Sequence, residues 1–83
     1  MKRINRQFRV YYVGNLLYVV VDGRVYPFCV DVGRSIIDQA FTFIRQMVDE
    51  YEDAGQLNLC STPSMPTDAR YLTTVVSAIV ELR

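Results

Sequence analysis

The chain has 83 residues, with 9 basic and 9 acidic side chains, no histidine and therefore no net charge. This length suits one small domain, residues 1–83. A neutral chain has no overall field to attract nucleic acid or membrane, and one without histidine has no His-based catalytic triad or zinc site.

The first half of the chain has the pattern of three β-strands separated by two tight turns. The strands are expected at 7–13, 16–21 and 24–32, and the turns at Gly14-Asn15 and Asp22-Gly23. Asp-Gly between apolar runs is among the strongest hairpin signals, because both residues tolerate positive φ. Pro27 cannot donate a hydrogen bond to a neighbouring strand, which predicts that the third strand lies at a sheet edge. The pattern therefore predicts a three-stranded antiparallel meander.

A long amphipathic helix is predicted at 35–54, with Ser35 as its N-cap and Gly55 immediately after its end. Its apolar residues fall in one arc, which we expect to face the core, and Gln39 falls in the polar arc. The apolar residues are Ile36, Ile37, Ala40, Phe41, Phe43, Ile44, Met47, Val48 and Tyr51.

The remainder of the chain predicts two more elements. Residues 56–61 alternate between polar and apolar and predict a short strand, and the prolines of 62–68 indicate a loop. Residues 71–82 fit both a strand and a helix, although their β-branched side chains favour a strand. The predicted fold class is α+β: a three-stranded antiparallel meander, one long amphipathic helix, a short strand and a C-terminal strand or helix.

A C-terminal strand would leave one apolar sheet face without cover. That face would carry some of the following residues: Tyr11, Val13, Leu17, Val19 and Val21. Uncovered apolar surface usually marks an interface, so the pattern predicts a homodimer formed through this face or through an edge strand.

Four carboxylates, Asp49, Glu50, Glu52 and Asp53, cluster at the C-terminal end of the predicted helix. The helix dipole is negative there, so each anion costs a few tenths to about 1 kcal/mol, and only Arg45 is spaced to offset them. A solvated helix end is the simplest interpretation, and a metal site is disfavoured because a helix alone cannot wrap a cation. Because stability does not explain the cluster, we interpret it as a partner-binding surface for a protein with a basic surface.

A second set of residues predicts an alternative function. The basic N-terminus and the tyrosines that follow it are typical of a surface that stacks the bases of single-stranded nucleic acid. The set comprises Lys2, Arg3, Arg6, Arg9, Tyr11 and Tyr12. Zero net charge and the lack of an RNA-recognition motif weigh against it.

Cysteine usage and the N-terminal sequence bear on location. Cys29 and Cys60 are expected to be buried free thiols rather than a disulfide. The basic residues 2–9 before the apolar run 10–21 superficially resemble a secretion signal, but the run contains three tyrosines and a turn, and no cleavage site follows it. The pattern favours a cytoplasmic protein without a membrane span.

The four glycines stand singly, at positions 14, 23, 33 and 55, so they form no phosphate-binding loop. Neither an enzymatic activity nor a cofactor nor a metal is expected. We therefore predict a non-enzymatic protein–protein interaction module. Its small size, lack of motifs and segregated charges are typical of virus- or phage-encoded inhibitors of host proteins. A small nucleic-acid-binding module is the alternative.

Overall fold

Among the residues that the structure describes, four antiparallel strands form one sheet, and one helix crosses one of its faces. The computed structural model describes residues 2–55, 57 and 59–81, except for the side chains of residues 2–4 and 79–81. The elements in chain order are β1 (Lys2–Val13), β2 (Leu16–Val21), β3 (Arg24–Cys29), α1 (Ile36–Ala54) and β4 (Arg70–Glu81). The predicted α+β fold, with its meander, long helix and C-terminal strand, is confirmed.

The strand order across the sheet is β3-β2-β1-β4. β3 is an edge strand, as Pro27 predicted, because the proline nitrogen has no hydrogen to donate to a further strand. β4 pairs with β1 along almost its whole length, interrupted by one irregularity between Val10 and Tyr11. The C-terminal segment is therefore a strand and not a helix, in keeping with its β-branched residues.

The Asp22-Gly23 turn has the geometry that its sequence predicts. Asp22 has φ of 54° and Gly23 has φ of 73°, so both central residues are left-handed. Left-handed central residues match the twist of the flanking strands in a two-residue hairpin. This local geometry sets the register of β2 against β3, in which Val21 lies opposite Arg24.

The core lies between α1 and one face of the sheet, and the strand register decides which residues reach it. The fully buried sheet residues are Phe8, Val10, Leu17 and Val19, with Val21 at 2% exposure. Val10 pairs with Val19, and Tyr12 pairs with Leu17, so their side chains share the face under the helix. Of the five residues among which the uncovered face was expected to find its members, Tyr11 and Val13 lie opposite the helix, whereas Leu17, Val19 and Val21 lie under it.

The bounds of α1 agree with the prediction, but its buried face does not agree completely. Ser35 accepts a hydrogen bond from the Asp38 amide over 3.4 Å, and Gly55 adopts φ of 73° as the C-terminal cap. Ala40, Ile44, Met47 and Val48 are buried as expected. Ile37 and Phe41 were expected in the core but are 47% and 50% exposed. The reason is that α1 lies nearest to β4, so one flank of its apolar arc extends past the edge of the sheet.

The segment between α1 and β4 connects the two edges of the sheet. The short strand expected at 56–61 is not present at its described residues 57 and 59–61, and Gln56 and Asn58 lie outside the described residues. Instead, Thr62 forms an isolated bridge with Val25 of β3, with its amide 2.8 Å from the Val25 carbonyl. The two prolines that follow Thr62 favour this irregular path over a regular strand.

Cys29 and Cys60 are free thiols, as predicted, but both are exposed rather than buried. Cys29 pairs with Leu16, whose side chain points to the face opposite the helix, which explains its exposure. No helix among the described residues combines the length and the apolar character that crossing a membrane requires.

Candidate functional site

The four predicted partner-binding carboxylates stand together on the last turns of α1. Asp49, Glu52 and Asp53 are exposed, and Glu50 is half-buried. We call these four residues the acidic surface. The last turn of α1 contains no basic residue, so the negative end of the helix dipole has no cation beside it within the helix.

Arg45 is the cation that the sequence placed against the acidic surface, and its contact there is weak. Its Nε lies 4.0 Å from Asp49 Oδ1, and the two side chains are 82% and 60% exposed. An exposed pair at this separation contributes about 0.3–0.5 kcal/mol at most. Arg45 therefore offsets little of the negative charge of Asp49.

A shallow depression of about 500 Å³ lies within the acidic surface on the outer side of α1. It is lined by Gln46, Asp49, Glu50, Asp53 and Ala54. Carboxylate oxygens accept hydrogen bonds, in bidentate fashion from an arginine, so the depression suits a basic side chain of another molecule.

A larger groove of about 620 Å³ separates α1 from β4, and we call it the β4 groove. Its apolar lining comprises Phe41, Ile44, Val48, Val75 and Val76, and its charged lining comprises Arg45, Asp49 and Glu52. Val76 is 60% exposed. The pairing of Val76 with Gln7 turns its side chain to the face opposite α1, so the groove brings the exposed Phe41 next to the acidic surface. The sequence did not predict this because α1 was expected to bury Phe41.

The alternative nucleic-acid set is divided between the two faces of the sheet. Arg9 and Tyr11 share the face opposite α1 with Tyr71, and the rings of Tyr11 and Tyr71 meet edge to face at 5.6 Å. Tyr12 shares the helix face with Leu17. The alternation along β1 places Arg6 on the helix face as well. Lys2 and Arg3 belong to β1 by their backbone, and their side chains lie outside the described residues.

A polar cluster that the sequence did not predict joins three elements. Arg6 Nη1 lies 3.0 Å from Asp22 Oδ1, and the Tyr51 hydroxyl donates to Asp22 Oδ2 over 2.7 Å. Burial, together with the hydrogen bond to Asp22, raises the pKa of Tyr51 well above its ordinary value. Within the described part of the chain, the buried Arg6 Nε has no hydrogen-bond partner. The cluster ties β1 and α1 to the β2–β3 turn, and Asp22 had indicated only a turn.

Gln39, expected on the polar arc of α1, is 8% exposed and holds the β3–α1 connection. Its Oε1 accepts from the Asp31 amide over 2.8 Å, and its Nε2 donates to the Asp31 carbonyl over 3.1 Å. A side-chain amide can satisfy both backbone groups of one residue in this way because it carries a donor and an acceptor. The β3–α1 connection that folds against Gln39 buries it, and helical periodicity does not reveal that contact.

No group of three or more potential metal ligands occurs among residues 2–55, 57 and 59–81. Compared with models of known families, with curated proteins and with solved structures, the chain matches none of them. Functional inference therefore depends on the surfaces described above.

Proposed function

We propose that this protein is a non-enzymatic protein-interaction module that binds a basic surface of a partner protein through its acidic surface. The observation that carries the proposal is the position of Asp49, Glu50, Glu52 and Asp53 at the negative end of α1, with no basic residue in the last turn.

Energetics supports this interpretation of the acidic surface. Anions at this end of a helix cost the isolated protein a few tenths to about 1 kcal/mol each. Lysine and arginine side chains of a partner would remove that cost on binding. Charge complementarity of this kind speeds association and selects partners more than it raises affinity.

The form of action that we propose is inhibition. A small acidic surface competes effectively for a basic site that normally binds nucleic acid, because both ligands present negative charge. A virus- or phage-type inhibitor of a host protein, acting in the cytoplasm, is consistent with the small size of the chain and its segregated charge.

The experiment is affinity capture with mass spectrometry, using the full chain and a variant with Asp49→Asn, Glu50→Gln, Glu52→Gln and Asp53→Asn. The matched control neutralises two exposed carboxylates elsewhere, with Asp38→Asn and Asp68→Asn. We expect the wild type and the control to retain a basic partner that salt elutes, and the variant to lose it. Equal capture by all three proteins would refute the proposal.

A second candidate function is single-stranded nucleic-acid binding, favoured by the joint position of Arg9, Tyr11 and Tyr71 on the face opposite α1. Base stacking on tyrosine beside arginine is a common mode of such binding. The test is gel retardation of a labelled single-stranded oligonucleotide by the purified protein. Retardation that decreases with added salt, and that Arg9→Gln weakens, would favour this function. Retention of that binding by the four-carboxylate variant would separate it from the first proposal.

A further inference from the structure

We propose that a second copy of this chain docks along the free edge of β4, forming a two-fold dimer with one continuous eight-stranded sheet. In this arrangement β4 pairs antiparallel with its equivalent, and the two α1 helices lie side by side on the same face. The proposal goes beyond the proposed function because it uses the β4 groove rather than the outer depression.

The first observation is the edge itself. β4 has 12 residues and is the last strand of the sheet, so only β1 pairs with it among the described residues. Residues 71–80 contain no charged residue and no proline. Exposed edges of monomeric proteins are normally blunted by charges, prolines or bulges. The one irregularity of β4 lies opposite Val10 and Tyr11, and the regular stretch 73–80 beyond it is a template for pairing with another strand.

The second observation is the apolar surface next to this edge. Val76 of β4 is 60% exposed, and Phe41 and Ile37, on successive turns of α1, are 50% and 47% exposed. Val75 and Phe41 line the β4 groove on the helix face, and Val76, which pairs with Gln7, exposes its side chain on the opposite face beside the same edge. If β4 paired with β4 of the second copy, that copy would cover the apolar surface at the β4 edge of the sheet.

The third observation identifies a second copy as the occupant. Three charged residues of α1 line the β4 groove. Arg45 lies near the middle of the helix, and Asp49 and Glu52 lie toward the C-terminal end of the helix. Two antiparallel helices align residue 45 of each with residues 49–52 of the other. The cation of one copy then faces the carboxylates of its partner, and two-fold symmetry forms this contact twice. A surface with this order of charges is complementary to itself.

The outer side of α1 stays open in such a dimer. Glu50, Asp53 and Ala54 line the depression on that side and not the β4 groove, whereas Gln46 and Asp49 line both. The dimer would therefore present two depressions to a partner. Asp49 and Glu52 belong to both the acidic surface and the β4 groove. Val76→Lys keeps all four carboxylates, so its mass tests self-association and its capture of a partner tests the proposed function.

The first test is the mass of the purified full chain by light scattering and sedimentation equilibrium at micromolar concentrations. We expect twice the 9.6 kDa of one chain. Val76→Lys should give the monomer mass, because the pairing would bring two lysines together at the centre of the interface. The control, Val32→Lys, alters a residue that is 88% exposed in the β3–α1 connection, and it should leave the dimer intact. A monomeric wild type, or an intact dimer of Val76→Lys, would overturn the proposal.

The second test addresses the antiparallel arrangement of the helices. Two charge-reversed proteins are compared, one with Arg45→Glu and the other with both Asp49→Arg and Glu52→Arg. Each would place like charges together in a homodimer, so each protein alone should be monomeric. Their equimolar mixture should form a heterodimer, because each replaced charge then meets its opposite. Far-UV circular dichroism shows whether each protein is still folded, which distinguishes loss of the dimer from loss of the fold. If both proteins are folded and the mixture stays monomeric, the arrangement is wrong.

Discussion

Tyr51 on α1 donates its hydroxyl hydrogen to Oδ2 of Asp22 over 2.7 Å, although the two residues are 29 positions apart in the chain. The other carboxylate oxygen of Asp22 faces Arg6 of β1 at 3.0 Å. One turn residue with a left-handed backbone thus holds both the helix and the first strand. The position of the acidic surface, which begins two residues before Tyr51, depends on this contact.

Tyr51→Phe should lower the free energy of unfolding by about 1 kcal/mol, because it removes the hydrogen bond to Asp22 and keeps the ring. Denaturant unfolding followed by circular dichroism measures this change. Tyr71→Phe is the control, since among the described residues its hydroxyl forms an exposed hydrogen bond with the Thr74 hydroxyl, and its effect should stay within about 0.5 kcal/mol. Equal effects of the two substitutions would show that the Asp22 contact does not stabilise the fold.

The same contact predicts a dependence on alkaline pH. The folded protein raises the pKa of Tyr51, chiefly by burial and then by its hydrogen bond to Asp22. Below about pH 10, the ordinary tyrosine pKa, both folded and unfolded chains keep the proton and the full contribution is present. At higher pH the unfolded chain loses this proton first, so the contribution to stability falls.

The measurement compares the free energies of unfolding of the wild type and Tyr51→Phe at about pH 8 and about pH 11, on either side of the ordinary tyrosine pKa. The five other tyrosines are common to both proteins, so the difference isolates Tyr51. We expect the advantage of the wild type to shrink at the higher pH. An advantage that does not change with pH would contradict the raised pKa.

Gln39→Ala should lower the free energy of unfolding by about 1–3 kcal/mol, because the part-buried backbone groups of Asp31 lose their partners. Gln46→Ala, at an exposed position of the same helix, should cause little change. Chemical unfolding of the two variants measures the contrast. If the two substitutions proved equivalent, the role assigned to Gln39 would be wrong.

Opposite ends of α1 should respond oppositely to removal of a carboxylate. Asp53→Asn should raise the free energy of unfolding by about 0.3–1 kcal/mol, and Asp38→Asn should lower it by a similar amount. Asp38 lies in the first helical turn, where the dipole favours an anion. Thermal unfolding at low and high salt tests this, since salt should reduce both effects. Two changes of the same sign would remove the energetic argument for a binding role of the acidic surface.

Local patterns in the sequence determined the turns, the limits of the helix and the presence of the four strands, although β1 begins at Lys2 and β3 ends at Cys29. Asp22-Gly23, Ser35 and Gly55 predict backbone conformations that these residues adopt in the structure, because turns and caps depend on neighbouring residues. Pro27 similarly predicts an edge, since the missing donor is a property of one residue. The clustering of Asp49, Glu50, Glu52 and Asp53 is likewise visible in the sequence, because all four belong to one helix.

Only the tertiary structure decided which surfaces these elements present. The register of β1 against β2 put Leu17 and Val19 under the helix, the β3–α1 connection enclosed Gln39, and the position of α1 near β4 left Phe41 exposed. Such features depend on pairing between distant segments, which local periodicity does not encode. The β4 groove and the contact of Tyr51 with Asp22 arise in the same way, because each joins elements that meet only when the sheet and the helix are assembled.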